Sequence, residues 1–443
     1  MKGLEGIKVV DLTGYVFAAA TTRILGELGA TVWKIEAFTG DEFRKNGPAY
    51  GMPKTEIDDP AFDFCDTNKE FLSINLKDPA GMEILHKLLA EADIMVTSFR
   101  TKALERLGLD YETLHAQYPG LVWAQSRGYG EYGPMKDEKG FDAVSFAARG
   151  GYFMSQPQAN EHFEPTNWLQ GLGDLSSGVS LAVGILAALV RKDRTGQGDK
   201  VTVNLYHQAC YGQVVGLGQT QFGDHYPKSR MDAACPTNNS YMSKDGIWFY
   251  ICYGVYDLYV DRVAKALGVE WMLDDPTLNN AEAINNPDNP TRRRVCEIFQ
   301  EAAESQDFAY WKERFIEFDI PYAELWTMEQ TLQDEEIYIS DCVRKLHYDQ
   351  YGDIAIATTP IRMESLGDPA ITRSRPIGYD TRRVMKAFGY SDSDVDGLVE
   401  GGAVKCYEGP ELSDSVLEPS YGNRSKGKPY YDGAVRRYED YTA

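Results

Sequence analysis

The stretch Gly6–Ala37, GIKVVDLTGYVFAAATTRILGELGATVWKIEA, decides the fold. Its opening GIKVVDL is a short apolar run, which predicts a β-strand. AAATTRILGELGA follows with the pattern of a helix, and TVWKIEA returns to a strand pattern. A strand, a helix and a second strand in so short a stretch predict two parallel strands joined by a crossover helix.

The same alternation continues to about residue 130. FLSINL, DIMVTSF and LVWAQSRGYG predict three further strands, and DPAGMEILHKLLAEA, TKALERLG and DYETLHAQY predict the helices among them. Asp78 is expected to cap the first of these helices, with Pro79 at its first position. Strands that alternate with helices are typical of α/β proteins, so we predict a doubly wound, Rossmann-like parallel sheet.

The sequence pattern changes from about residue 230, where SYMSKDGIWFYICY predicts a hairpin with Asp245 and Gly246 at its turn. DIAIATTPIRM, near residue 355, again resembles a strand. We therefore predict two domains with linkers and a polar, Tyr-rich extended arm at the end of the chain. Their boundaries are a large domain at 1–215 and 345–405, a smaller α+β domain at 230–330, linkers at 216–229 and 331–344, and the arm at 406–443.

Composition limits the partners and the compartment. A net charge of −22 argues against nucleic acid. The seven dispersed cysteines include no CxxC pair, which favours reduced thiols and predicts no metal site. No apolar leader precedes the first strand, and no stretch of about 18 apolar residues is found. These features predict a cytoplasmic protein with no membrane partner.

A strand, turn, helix and strand ending at Glu36 imitates a dinucleotide-binding unit. The fingerprint of that unit is G-x-G-x-x-G in the first turn, where the glycines let the pyrophosphate approach the backbone. This chain has DLTGYVFAAAT there, with one glycine. NAD is therefore not expected as a cofactor.

Ligands of such sheets bind at the carboxyl ends of the strands. Basic residues recur at these positions, and a few of them together would form a phosphate site, although any single one can be a solvated surface charge. The candidate segments are Thr13–Ala18, Glu36–Asp41, Lys77, Ser98–Lys102 and Arg127–Gly133, with Arg44, Lys45, Arg106 and Lys139 as further cations.

The stretch GLGDLSSG, residues 171–178, leads into the apolar helix pattern VSLAVGILAALVRK. It places Asp174 near a helix N-terminus, where the helix dipole stabilises an anion, and Ser176 or Ser177 can cap the helix. Backbone N–H groups around Leu175 to Ser177 are candidate oxyanion donors. Asp174 is either a nucleophile or an ordinary aspartate in a capping turn, and its surroundings alone favour the second.

Over nearly its whole length the chain resembles the class III, formyl-CoA transferase-like CoA-transferases. The resemblance lies in GIKVVDLT, LGELGATVWKIE, NKEFLSINLKDPAG, ADIMVTSFRTKALERLGLDYETL, RGYGEYGP, KGFDAVSFAARGG, GLGDLSSG, GILAALVRKDRTGQGDKVTVNL and RPIGYDT, in this order. It implies an interlocked homodimer, a large domain that binds coenzyme A, and acyl-CoA and carboxylic acid substrates. It also assigns Asp174 the role of catalytic aspartate.

The resemblance further implies residues that contact CoA, namely Val16, Lys77, Ser98, Phe99, Arg106, Arg127 and Lys139. Val16 stands where some members have a glutamine, and Ala18 and Ala19 replace the usual Gly-Pro. Ala37 replaces a frequent arginine. A run of glycines that closes the site in some members is missing between residues 235 and 260.

Within the family, FRTKALERLGLDYETL, FAARGG and GLGD are most similar to enzymes of anaerobic fermentation that act on 2-hydroxy acids. An apolar pocket from Tyr15, Val16 and Phe17 would suit an aryl or branched side chain. The alternatives are transfer to another carboxylic acid, a non-catalytic CoA-binding protein, and a 2-methylacyl-CoA racemase. The racemases use a His-Asp step, which here is Phe141-Asp142, so one base is missing.

Overall fold

The computed structural model describes residues 3–156, 165–286, 289–367 and 371–412. These residues form two compact units. The large unit contains 3–153, 167–218, 335–367 and 371–412, and the small unit contains 154–156, 165–166, 219–286 and 289–334. Most of the predicted C-terminal arm, residues 413–443, lies outside the described residues.

The strands confirm the alternation predicted for the first 130 residues. In chain order they are β1 Lys8–Leu12, β2 Thr31–Glu36, β3 Glu70–Ile74, β4 Ile94–Thr97, β5 Val122–Arg127, β6 Lys200–Asn204, β7 Asn238–Met242, β8 Trp248–Cys252, β9 Tyr322–Glu324, β10 Val343–Tyr348, β11 Gly352–Ala357 and β12 Val404–Lys405.

The helices fill the intervals between these strands. They are α1 Phe17–Glu27, α2 Asp63–Asp66, α3 Pro79–Glu91, α4 Thr101–Leu107, α5 Tyr111–Gln117, α6 Tyr152–Ser155, α7 Leu172–Thr195, α8 Leu205–Gly212, α9 Val214–Thr220, α10 Tyr256–Leu267, α11 Ala281–Asn285, α12 Thr291–Ala303, α13 Phe308–Glu317, α14 Met328–Gln333, α15 Glu335–Ile339, α16 Thr381–Ala387 and α17 Asp392–Glu400. A π-helical segment spans Asp142–Ala148, and short 3-10 turns span Glu42–Lys45, Gly47–Tyr50, Arg230–Asp232, Glu270–Asp274 and Glu364–Leu366.

The large unit is built on a sheet of seven described strands in the order β12-β3-β2-β1-β4-β5-β6. The pairs from β3 through β6 are parallel, as predicted, and β12 adds an antiparallel edge at Val404 and Ile74 that the sequence does not announce. The strand order reverses between β1 and β4, which is where ligands bind in open α/β sheets. The chain is therefore a mixed α/β protein with a parallel central sheet.

Side chains that alternate along β1 enter different parts of the core. Val10 packs with Ile84 and Leu88 of α3, whereas Val9 packs with Leu181 of α7. This alternation follows from the two-residue period of a strand. The predicted cap of α3 is confirmed, because the Asp78 carboxylate accepts hydrogen bonds from the N–H groups of Ala80 and Gly81.

Helix α7 packs on α1 and is the one helix among the described residues that is both long and strongly apolar. By length and composition alone it could cross a membrane, so the expected absence of a long apolar stretch does not hold here. Leu181, Ile185 and Leu189 of α7 are buried in the core of the large unit. A core helix of a soluble protein passes the same test, so the finding is weak evidence for a membrane span.

The small unit has its own three-stranded antiparallel sheet, in the order β7-β8-β9. The predicted hairpin is confirmed, since β7 pairs with β8 and Gly246 adopts a φ of 81° in the turn between them. Its core packs Tyr241 and Phe249 of the sheet against Phe299 of α12 and Phe315 of α13. Residues of α10 to α13 belong to the same core cluster as β7 and β8.

Candidate active site

A cavity of about 630 Å³ opens in the large unit at the carboxyl ends of β1, β2, β4 and β5. Of the residues predicted for the site, Asp174, Ser98, Phe99 and Arg127 line it. Tyr15 and Phe17, predicted for the apolar pocket, line it as well. The topology therefore gathers at one sheet edge residues that are far apart in the sequence.

Four of the residues predicted to contact CoA lie away from the lining. Val16 packs into a core cluster with Phe43, Phe62 and Phe71. Lys77, Arg106 and Lys139 have exposed side chains outside the cavity wall, and Arg106 Nε donates to the carbonyl of Lys102 at 3.2 Å. Their roles in CoA binding stay predictions.

Asp174 is the third residue of α7, so it lies inside the first helical turn and not in the turn before it. No hydrogen bond or ion pair to its carboxyl group is found in the part of the chain that the structure describes. Burial, and then the nearby charge of Asp142, raise its pKa to about 7. Its deprotonated form faces the cavity without a cation or donor to neutralise it, which makes Asp174 a candidate nucleophile.

The N-terminus of α7 is capped from a distance by Asp142. Its carboxylate accepts hydrogen bonds from the N–H groups of Gly171 at 2.7 Å and Gly173 at 3.0 Å, and from Trp168 Nε1 at 2.8 Å. The prediction that Ser176 or Ser177 caps the helix is wrong, because the helix begins before them, at Leu172. Ser176 Oγ instead donates to the carbonyl of Gly173 at 3.1 Å.

The two glycines that flank Leu172 are required by this arrangement. Gly171 adopts a φ of 86°, in the left-handed region that favours glycine. A Cβ atom at Gly173 would collide with Asp142 Oδ1 and with the ring of Phe146. The glycines therefore bring Asp142 close to the backbone beside Asp174.

The predicted oxyanion donors are wrong for Leu175, because its N–H group donates to the carbonyl of Gly171 at 2.8 Å inside the helix. Ser176 and Ser177 follow within the same helix. The N–H groups of Leu172 and Asp174 take no partner among the described residues. These two groups, at the helix end, are the better candidates for binding an oxyanion.

Arg127 ties the strand end to the surrounding loops. Its guanidinium donates to Thr101 Oγ1 at 2.7 Å, to the carbonyl of Lys136 at 2.9 Å and to the carbonyl of Tyr129 at 3.3 Å. Phe99 lines the cavity and also packs on the core, and its carbonyl accepts a hydrogen bond from Gln125.

The cations that line the cavity are Arg100, Lys102, Arg127 and Lys136. Lys136 was not predicted, although it stands in the same charged loop as Lys139.

The turn between β1 and α1 is held by side chains. The N–H groups of Thr13, Gly14 and Tyr15 donate to Asp11 Oδ1 at 2.9 Å, Ser98 Oγ at 2.9 Å and Asp41 Oδ1 at 3.1 Å. In a dinucleotide-binding unit this turn presents its N–H groups to phosphate. Here all three are occupied by the protein itself, so this turn is not built to bind an anion.

Five buried charged residues lie beneath this turn and form the buried charge cluster, namely Asp11, Lys34, Asp41, Asp66 and Lys69. Lys34 Nζ lies 2.8 Å from Asp41 and also donates to the carbonyl of Thr13 at 3.0 Å. Burial alone would raise the pKa of Asp11, but Lys69 and Lys34 outweigh it and lower this pKa to about 2. The sequence reasoning did not find this cluster, although a charge inside each of the apolar strands KVVDL and TVWKIE was its signal.

The geometry defines an α/β protein with a parallel central sheet and a cavity at its carboxyl edge, lined by a carboxyl group without a neutralising partner among the described residues. The family model for CoA-transferase family III matches residues 4–381, and the chain belongs to that family of CoA-transferases. Among the described residues, no group of three or more His, Cys, Asp or Glu side chains is arranged to hold a metal ion.

Characterised relatives align with almost the whole chain. The chain is 38% identical over 397 residues to a cinnamoyl-CoA:phenyllactate CoA-transferase of Clostridium sporogenes, covering 89% of this chain and 95% of the relative. It is 35% identical over 402 residues to an (R)-2-hydroxy-4-methylpentanoate CoA-transferase of Clostridioides difficile, covering 91% and 99%. A crystal structure of a CAIB/BAIF family protein from Brucella suis has the same fold, with a TM-score of 0.68, 22% identity, and coverage of 87% and 99%.

Proposed function

We propose that this CoA-transferase moves CoA from an acyl-CoA thioester to a 2-hydroxy acid with an aryl or branched side chain, with Asp174 as the nucleophile. The observation that carries the proposal is the carboxyl group of Asp174, which faces the cavity without a neutralising partner among the described residues. The two relatives named for phenyllactate and 2-hydroxy-4-methylpentanoate support the choice of acid.

The chemistry needs a nucleophile that can be acylated and can then carry CoA. The Asp174 carboxylate attacks the thioester carbonyl, a C–O bond forms as the C–S bond breaks, and a mixed anhydride and CoA thiolate result. The thiolate then attacks the Asp174 carbonyl, which releases the donor acid and leaves Asp174 as a thioester. An incoming carboxylate repeats the two steps in reverse, and Asp174 is regenerated. Protons need not be transferred, since the nucleophile and the leaving groups are anions.

The helix end supplies what this sequence of steps needs. The free N–H groups of Leu172 and Asp174 and the positive end of the α7 dipole favour the tetrahedral oxyanion formed at each attack. Asp142 holds the two neighbouring N–H groups, so the end of the helix stays fixed. Each oxyanion donor contributes about 3 kcal/mol in comparable enzymes.

The cations that line the cavity suit the phosphates of CoA. Arg100, Lys102 and Lys136 line it near the exposed loops, and Arg127 orients the carbonyl of Lys136. Lys102 forms a 3.5 Å pair with Asp137, both side chains being largely exposed, so a phosphate can displace this weak contact. These local cations offset the net charge of −22 for an anionic substrate.

A homodimer, interlocked as in the family, is part of the proposal. Apolar side chains at helical spacing run along the outer face of α7, each 38% to 62% exposed: Leu172, Leu175, Val179, Val183 and Val190. A contiguous apolar stripe of this kind is characteristic of a surface covered by another chain. A doubly wound large domain at 1–215 and 345–405 that binds CoA, and a cytoplasmic location, complete the proposal, and the free state of all seven cysteines supports that location.

A panel of acceptor acids, assayed with one acyl-CoA donor, tests the function. We expect phenyllactate and 2-hydroxy-4-methylpentanoate to accept CoA with a higher kcat/KM than oxalate or succinate. A clear preference for oxalate would refute the substrate class. Exchange of the 2-proton of an acyl-CoA with deuterated solvent, in the absence of an acceptor acid, would point instead to a racemase.

A further inference from the structure

Tyr15 has a backbone conformation that requires an explanation. Its φ of 61° lies in the left-handed region, which a bulky side chain rarely adopts. The conformation is imposed by its surroundings, because the N–H group of Tyr15 donates to Asp41 Oδ1 and Asp41 is itself held by Lys34. Strain that the fold maintains in this way is concentrated at functional sites.

Tyr15 packs in part against the core cluster of Phe43, Phe62 and Phe71, and it lines the cavity that Asp174 also lines. There its ring packs edge-on against Phe141, with 5.2 Å between the ring centroids and 79° between the planes. The Tyr15 hydroxyl donates to Glu42 Oε2 at 2.6 Å. Three contacts, at the backbone, the ring and the hydroxyl, therefore fix an apolar ring face within the cavity.

Glu42 gives this wall a negative charge. The other two acidic groups of this part of the lining are neutralised, since Glu36 pairs with Arg44 and Asp41 pairs with Lys34. Glu42 lines the cavity with an exposed side chain, and the described residues provide it with no ion-pair partner. A ligand that places a second carboxylate here meets a like charge.

We propose that Tyr15 and Glu42 determine the specificity of the reaction, with the Tyr15 ring receiving the apolar side chain of the carboxylic acid and Glu42 rejecting dicarboxylic acids. This inference rests on the proposed function and adds the two residues that select the acid. Aromatic side chains pack well on such a ring edge or face, and loss of one apolar contact changes selectivity by about tenfold or more.

Three variants and one control test the proposal. Tyr15→Gly removes the ring and keeps the left-handed backbone without strain. Tyr15→Phe removes only the hydroxyl, and Glu42→Gln removes the charge while still accepting the Tyr15 hydrogen bond. Tyr390→Phe is the matched control, because its hydroxyl bonds Lys87 on an exposed surface outside the cavity lining.

The readout is the ratio of kcat/KM values for phenyllactate, lactate and malate with one donor. Tyr15→Gly should lower the phenyllactate-to-lactate ratio about tenfold or more, mainly through KM, whereas Tyr15→Phe and Tyr390→Phe keep it. Glu42→Gln should raise the malate-to-lactate ratio about three- to tenfold. Ratios within twofold of wild type in both Tyr15→Gly and Glu42→Gln would overturn this inference alone. A wild-type enzyme that transfers CoA to none of these acids would overturn the proposed function and this inference with it.

Discussion

Asp41 and Asp174 line one cavity, and the fold treats these two carboxylates in opposite ways. In the buried charge cluster, Asp41 lies 2.8 Å from Lys34 and its pKa is lowered because that lysine outweighs the effect of burial. Asp174 has burial and the like charge of Asp142, which raise its pKa to about 7. The paired carboxylate holds backbone in place, whereas the unpaired one is proposed to react, so the environment of each carboxylate and not its residue type would assign its role.

The largest expected effect on CoA transfer comes from replacing Asp174, the unpaired carboxylate. Asp174→Asn should lower CoA transfer by at least about a thousandfold, because an amide cannot form the anhydride or the thioester. The measurement is the steady-state rate of acyl-CoA consumption with phenyllactate present. Asp193→Asn, on an exposed position of the same helix, is the control and should stay within twofold of wild type. Substantial transfer by Asp174→Asn would remove the basis of the comparison.

Replacing a residue of the buried charge cluster should instead lower the free energy of unfolding. Lys34→Met leaves Asp41 and Asp66 buried without this lysine, which should lower the free energy of unfolding by about 3–5 kcal/mol. Urea denaturation measures the change. Lys8→Met, in strand β1, breaks an exposed pair with Glu91 at the end of α3 and should cost about 1 kcal/mol or less. Equal costs for the two variants would contradict the structural role of the buried charge cluster.

The raised pKa of Asp174 also predicts that its charged carboxylate destabilises the fold. Between its ordinary pKa and about 7, the native Asp174 holds a proton that the unfolded chain has lost, so stability falls as pH rises through this range. Asp174→Asn lacks this titration and should be more stable than wild type by about 2–4 kcal/mol at pH 8, and by less than about 2 kcal/mol at pH 5.

Urea unfolding of both proteins at the two pH values tests this, with Asp193→Asn again as the exposed control on α7. An Asp174→Asn variant that is less stable than wild type at pH 8 would show that the carboxylate is stabilised by a partner. The contrast between the paired carboxylate Asp41 and the unpaired carboxylate Asp174 would then fail.

Asp142 contributes to both effects. Its buried carboxylate holds backbone by capping α7, and its charge raises the pKa of Asp174. Asp142→Asn removes its charge, so the pKa of Asp174 should fall and the rise of kcat/KM with pH should move to lower pH by about one unit or less. The lost cap should also cost about 1 kcal/mol of stability. If the pH profile of kcat/KM does not move while the stability falls, Asp142 has only its capping role.

Local signals in the sequence were sufficient for most of the fold. The apolar strands, the Asp78 cap and the alternation with helices predict the parallel sheet, and the strand ends predict where the cavity lies. Edge strand β12 has only two residues, which is too short for a recognisable pattern. These elements depend on periodicity and caps, which neighbouring residues determine.

The site was predicted only in part, because its geometry comes from contacts between distant residues. Asp142 caps a helix that begins 30 positions further along the chain, at Leu172, and no local pattern links the two. The N–H group of Tyr15, in its left-handed conformation, donates to Asp41. Tyr15 and Val16 both pack against the same core cluster, but Tyr15 also lines the cavity. Side-chain direction at such a position cannot be read from residue type alone.

Chemical trapping tests the central claim most directly. The wild-type enzyme is mixed with an acyl-CoA donor in the presence of hydroxylamine, without an acceptor acid, and its peptides are analysed by mass spectrometry. An activated Asp174, as anhydride or thioester, reacts to a hydroxamate, so the peptide with Asp174 should carry that mass change and the Asp174→Asn variant should not. A label on any other residue would contradict the assignment of Asp174 as the nucleophile. So would an unlabelled Asp174 peptide from a wild-type enzyme that transfers CoA once phenyllactate is added.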